Sequence, residues 1–202
     1  MARNHSSMTV ETVAVLACTL VAGGCGGFGQ VNQGRVIQYD REKGLVTFIQ
    51  DSNYREPGKP RFDVLPPVTV KIPADPNEMG PAPDAGVLLA VDSERTQLVT
   101  YDAGAQRFRT VPYTPLEEHR NVYRDDPRLR GRLPRIDREK KTITLYDPRQ
   151  RLLLTFSVSD ENFRLPEDTW KAGDDIRYYY KQPGQALRMM NVTRTDIGKA
   201  GK

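Results

Sequence analysis

The chain has 202 residues, of which 38% are apolar and 28% charged, and its net charge is +4. The charge is not gathered into a long single-sign run, which speaks against a nucleic-acid-gripping polycation. No apolar stretch reaches the roughly 20 residues of a membrane-crossing helix.

In chain order, the first signal is an apolar run, Val13 to Val21, leading into Ala22-Gly23-Gly24-Cys25. A short apolar segment followed by small residues and a cysteine is the layout of a lipoprotein signal peptide. The expected division is a signal peptide over 1–24, with Cys25 as the lipidated residue. Cys18, preceded by Val15-Leu16-Ala17, is the competing site, but it sits inside the apolar run and Cys25 is preferred. A buried apolar strand or helix of a cytoplasmic protein is the other reading; the Gly-rich stretch that follows at once disfavours it. Both cysteines of the chain lie in this N-terminal stretch. Cleavage before Cys25 leaves no free thiol and no disulfide, which suits an oxidising compartment. Residues 25–33 are read as a lipid tether. No acidic residue directly follows Cys25, so the periplasmic face of the outer membrane is the expected location.

The 15 prolines and 16 glycines are scattered between short apolar runs, a pattern of many turns and short strands. Residues 34–47, GRVIQYDREKGLVT, repeat as GRLPRIDREKKTIT at 131–144. Each copy reads as a β-hairpin whose charged tip begins with an aspartate, Asp40 or Asp137, able to bond the backbone of its own turn. Gly44 can adopt positive φ there at little cost. Further strands are expected at 68–72, 87–91, 98–101 and 107–111, then at 152–158, 176–180 and 186–193. Thr114 to Arg130 carries helix-start signals in Thr114, Pro115, Glu117 and Glu118. It is read as a linker with a short helix.

The expected fold is therefore all-β: two tandem five-stranded OB-like barrels at 34–115 and 131–197, joined by a linker at 116–130. The phrase Gly-x-Val/Leu-x-x-x-Asp, a Thr-bearing strand and Ala-Gly-Asp-x-Ile-x-Tyr resemble bacterial periplasmic OB-fold-like domains. Over its whole length the chain resembles an uncharacterised family of lipoproteins from sulfate-reducing bacteria. That resemblance implies no activity and transfers no site residues.

Candidate chemistry is sparse. Beyond the signal the only histidine is His119, and no serine–histidine or cysteine–histidine pair can be argued. No metal site is expected from the spacing of His, Cys and carboxylates. Copper is the sharper metal option, through Met189-Met190 near Trp170, but adjacent strand residues face opposite ways. The pairs Asp160-Glu161, Glu167-Asp168 and Asp174-Asp175 lack the alternation of a calcium loop. Trp170 and Tyr179 form the candidate ligand face, because an exposed aromatic strand face can stack a glycan or a peptide. The arginines from Arg120 to Arg138 can meet anionic lipid or pair locally with Asp125, Asp126 and Asp137. The expectation is a non-enzymatic, cofactor-free binding or scaffolding lipoprotein of the cell envelope. Its expected partners are the membrane through its anchor and another envelope protein or glycan, not nucleic acid. The alternative is a periplasmic carrier of a small ligand or of a metal such as copper.

Overall fold

A computed structural model describes residues 28–56 and 59–195. The signal segment and Cys25 lie outside the described residues. The described chain is predominantly β, as expected, with twelve strands, one four-residue α-helix and three short 3-10 turns.

The strands form three open sheets. The first runs in the order β12 (Arg188–Asn191), β11 (Asp175–Tyr180), β1 (Gln30–Asp40), β2 (Leu45–Gln50), β3 (Val68–Lys71). The second is a meander of β4 (Leu88–Asp92), β5 (Gln97–Asp102) and β6 (Arg107–Pro112). In the third, β7 (Thr114–His119), β10 (Leu152–Ser157), β9 (Thr142–Asp147) and β8 (Arg135–Asp137) lie side by side. All the ladders between named strands are antiparallel.

The strands of the sequence reading are present, but they do not close into two five-stranded barrels. The reason is the length of β1. At 11 residues it is long enough to offer both edges. One edge pairs with β2 through its C-terminal part, and Gln30 to Arg35 pair with Tyr180 to Asp175 of β11. Strands from the end of the chain thus complete the sheet begun at its start, so no sheet divides the chain into the 34–115 and 131–197 halves. Gly173 permits the junction: a Cβ there would stand 2.0 Å from the carbonyl oxygen of Val36, a backbone atom that cannot give way.

The linker helix is also corrected. Thr114 to His119 form β7, which pairs with the free edge of β10. Pro115 is tolerated because β7 is an edge strand, where no second neighbour needs its missing N–H. The only helical turn of the linker is a 3-10 turn at Pro127–Leu129, capped by Asp126. Isolated helices this short are marginal, so an available sheet edge outweighs local capping signals.

The doubled DREK segments do occupy like places, the tips of the β1–β2 and β8–β9 hairpins. In each, the aspartate accepts a hydrogen bond from the N–H three residues on, at 3.0 Å for Asp40 and 2.9 Å for Asp137. The correspondence stops upstream of the tip. Val36 is a buried residue of β1, whereas its counterpart Leu133 lies in a bend before β8. The same turn recurs at three more hairpins. Asp92, Asp102 and Asp147 accept from the N–H of Arg95, Ala105 and Gln150 at 2.9, 3.0 and 3.2 Å. The residue after each of these turns is left-handed: Gly44, Thr96, Gln106, Lys141 and Arg151 have φ between 49° and 62°. A four-residue turn closed by one left-handed residue matches the twist of the strands it joins.

Three apolar clusters hold the sheets together. The largest lies between the second and third sheets and includes Leu88, Leu98, Leu145, Phe156 and Trp170. A second underlies the first sheet, with Val36, Phe48, Ile176, Tyr178 and Met189. The third joins first and second sheets through Ile49, Phe62, Leu89 and Tyr101. Along β11 the expected alternation holds: Ile176 and Tyr178 are buried and Tyr180 packs against the same cluster, while Arg177 and Tyr179 face the other way. Trp170, however, belongs to a different core from Ile176.

Candidate functional site

The three sheets meet at a buried arginine. Arg35, on β1, is 0% exposed. Its Nε donates to Asp175 Oδ1 of β11 at 2.9 Å. Its Nη1 donates to the Leu89 carbonyl of β4 at 2.7 Å and to Asp147 Oδ2 of β9 at 3.1 Å. Its Nη2 reaches the second oxygens of Asp147 and Asp175 at 3.3 and 3.4 Å. One guanidinium therefore contacts every sheet, its planar fork fitting two carboxylates at once. The Phe62 ring centroid lies 5.1 Å from its Cζ. Burial opposes the charge, but the field and hydrogen bonds of Asp147 and Asp175 outweigh it and raise the Arg35 pKa. Burial pushes the Asp175 carboxyl above its ordinary range, with Arg35 pulling against that shift. Arg149 stands 3.6 Å from buried Asp51 and 3.8 Å from Asp175, beyond hydrogen-bond length, and extends the charge cluster.

The residue before Asp175, Asp174, organises a second polar group. It accepts from the Asp84 N–H at 2.9 Å, Asn191 Nδ2 at 2.9 Å and Arg194 Nε at 2.7 Å, with Arg124 Nη2 at 3.5 Å. Arg194 also bonds Asp84. Asp84, Arg124, Asp174 and Arg194 line one side of a cleft of about 310 Å³, whose other walls include Tyr146, Trp170 and Lys171. Lys171 has no ion-pair partner among the described residues. The cleft is at the small end of the range for small-molecule sites. Most of its charges already answer one another.

The structure separates the candidate ligand face. Trp170 is 1% exposed and packs edge-on against Phe156, with ring centroids 5.9 Å apart. Its Nε1 has no hydrogen-bond partner among the described residues. Tyr179 stands at the far end of the β1–β11 ladder, half-buried, beside Glu78, Leu187 and Arg188. The two aromatics share neither a face nor a cleft. Met189 is buried in the core beneath the first sheet, and Met190 points the opposite way. His119 contacts Glu117 at 2.7 Å. Among the described residues, no group of three or more His, Cys, Asp or Glu is placed to hold a metal ion. In the junction series, Arg128 pairs with Asp126, one of the local partners expected, while Arg120 and Arg138 pair with Glu118 and the distant Glu167.

Sequence reasoning missed Arg35, Asp147 and the structural role of Asp174. Arg35 sits in the conspicuous Gly-Arg pair, but its counterpart Arg132 is exposed, so the repeat itself concealed the difference. A usable signal was the recurrent Tyr-Asp pair at Tyr39-Asp40, Tyr101-Asp102 and Tyr146-Asp147, which closes a strand and opens a turn each time.

A family profile described as Domain of unknown function (DUF4881) matches residues 27–200. No curated protein and no solved structure matches the chain.

Proposed function

The chain belongs to the DUF4881 family, and on that footing we propose that it is a lipid-anchored, non-catalytic binding or scaffolding protein of the cell envelope. The observation that carries this reading is Ala22-Gly23-Gly24-Cys25 after the Val13–Val21 apolar run, with the first strand starting at Gln30. Acylated Cys25 would hold the β body at the periplasmic face of the outer membrane. A single acyl chain anchors only marginally and several hold firmly, so full modification of this cysteine is part of the proposal. The family description names no activity, and the cleft's mutually paired charges favour binding over catalysis. The candidate ligand surface is accordingly the cleft walled by Trp170 and Lys171. A glycan or another envelope protein is the partner class proposed for it.

The second reading, a periplasmic small-ligand carrier, is favoured by the 310 Å³ cleft. A copper version of it would have to draw on Met190, because Met189 is enclosed in the core.

The anchor is tested by labelling cells with radioactive palmitate and separating membranes from soluble protein. Wild-type chain should carry label and sediment with the outer membrane. Cys25→Ala should be unlabelled and soluble or uncleaved; a mutant with unchanged label and fractionation would overturn the anchor. Cys18→Ala should behave as wild type.

A further inference from the structure

We propose that the sheet end made by Phe28, Val31, Tyr179 and Leu187 rests against the lipid bilayer that holds the anchor, fixing how the β body is oriented. The inference deepens the anchored-protein reading and rests on it. Three exposed apolar side chains gather where the described chain begins: Phe28 is 98% exposed, Val31 45% and Leu187 44%. Val31 and Leu187 are brought together around Tyr179, and Phe28 lies three positions before Val31 in the chain. Val31 on β1 lies directly opposite Tyr179 on β11, and Tyr179 lies opposite Arg188 on β12. Directly opposed residues in an antiparallel pair share a face. Leu187 adjoins them, its N–H donating to the Tyr179 carbonyl at 2.8 Å.

The point of attachment is itself held in place. The Tyr179 ring lies over Gly29 so closely that a Cβ at Gly29 would fall 2.1 Å from ring carbons. The first described residues therefore pass beneath this ring. Phe28 is three positions after Cys25, and an extended chain covers at most about 3.3–3.6 Å per residue. An acylated Cys25 therefore keeps Phe28 within roughly 11 Å of the lipid it enters. An apolar patch at that distance is in reach of the headgroup boundary, where exposed Phe and Leu side chains are better accommodated than in water. Exposed Lys181, which has no ion pair among the described residues, follows β11 at the same end and suits anionic headgroups. Arg188 pairs with Glu78, and Arg177, on the same face of β11, donates to the neutral Gln33, so the apolar patch is bordered by net positive charge.

The test separates the face from the anchor by making the anchor chemically. Full-length Cys18→Ala chain, whose one thiol is Cys25, is coupled to maleimide lipid in phosphatidylethanolamine–phosphatidylglycerol vesicles, with and without brominated acyl chains. Bromine quenches tryptophan at short range. Trp170, buried in a distant core, supplies a constant background. Introducing Leu187→Trp should add emission that bromolipid quenches at least threefold more than the emission added by Tyr123→Trp, an exposed position outside the patch. Adding Val31→Asp to the Leu187→Trp chain should abolish the excess quenching while leaving the far-UV circular dichroism unchanged. Equal quenching at 187 and 123, or none at either on demonstrably tethered protein, would overturn the proposal. A failure of palmitate labelling in cells would instead overturn the anchor, whatever the tethered chain does.

Discussion

At the scale of single residues, Arg35 decides whether three sheets can share one interior. Its charge is affordable there only because Asp147, Asp175 and the Leu89 carbonyl surround it. Removing one partner of a buried pair leaves the others charged and unpaired, a loss of about 3–5 kcal/mol. That is a large share of the ~5–15 kcal/mol that keeps a domain folded. Arg35→Met should therefore lower the urea midpoint sharply, whereas Arg35→Met with Asp147→Asn and Asp175→Asn should recover part of it. A single mutant as stable as wild type would show that the cluster is not coupled to folding. Asp126, half-buried beside an exposed arginine, illustrates a different case. The side chain and N–H of Arg128 hold its carboxyl down at about 2. A depressed carboxylate stabilises the fold above its unfolded value, and that contribution disappears as pH falls through the folded value. Carbon-detected NMR should place the Asp126 midpoint near 2 in wild type and nearer the ordinary 3.8 in Arg128→Ala. An unmoved midpoint would exclude Arg128 as the cause.

At the scale of elements, the recurring unit is a strand ending in aspartate, a tight turn and one left-handed residue. β4–β5–β6 and β8–β9–β10 each contain two such turns in succession. Four of the five left-handed positions are not glycine. The left-handed region costs an L-residue about 1–2 kcal/mol, and glycine's extra unfolded freedom offsets about 0.5–1 kcal/mol of the relief. Thr96 is β-branched and so the most strained of the four. Thr96→Gly should stabilise the protein by about 0.5–1 kcal/mol, read as a higher denaturant midpoint with an unchanged slope. A destabilised Thr96→Gly would mean that the hydroxyl, which donates to the Arg95 carbonyl at 2.8 Å, outweighs backbone strain.

At the scale of the whole molecule, the chain's two ends meet in one sheet. β11 and β12 complete the sheet opened by β1, and Arg35 links that sheet to both others. Neither 34–115 nor 131–197 holds a full set of these partners. Expressed alone, each fragment should lack a cooperative thermal transition, and the intact chain should melt in a single step followed alike by near- and far-UV signals. Two separable melting transitions in the intact chain, or a cooperatively folding 131–197 fragment, would contradict this architecture.

Much of the element content was legible in the residues. Short apolar runs between turn signals marked β2, β5, β9 and β11, and Asp40 and Asp137 announced their turns, because these features depend on contacts only a few residues apart. The apolar run into Cys25 is likewise a purely local signal. What the residues alone did not determine was which strands share a sheet. The edge of β1 is filled by β11, more than a hundred residues away, and Thr114 to His119 became a strand only because β10 had an unpaired edge. The same holds for the candidate site. Trp170 and Tyr179 look alike as aromatics beside turns, yet one fills a core between two sheets and the other covers Gly29 where the chain enters the fold. Burial of Arg35 depends on carboxylates brought from positions 147 and 175, and local pattern carries no record of partners so distant in sequence. Tertiary pairing decided these points because hydrogen-bonded edges and buried charges are satisfied by whatever the fold places beside them.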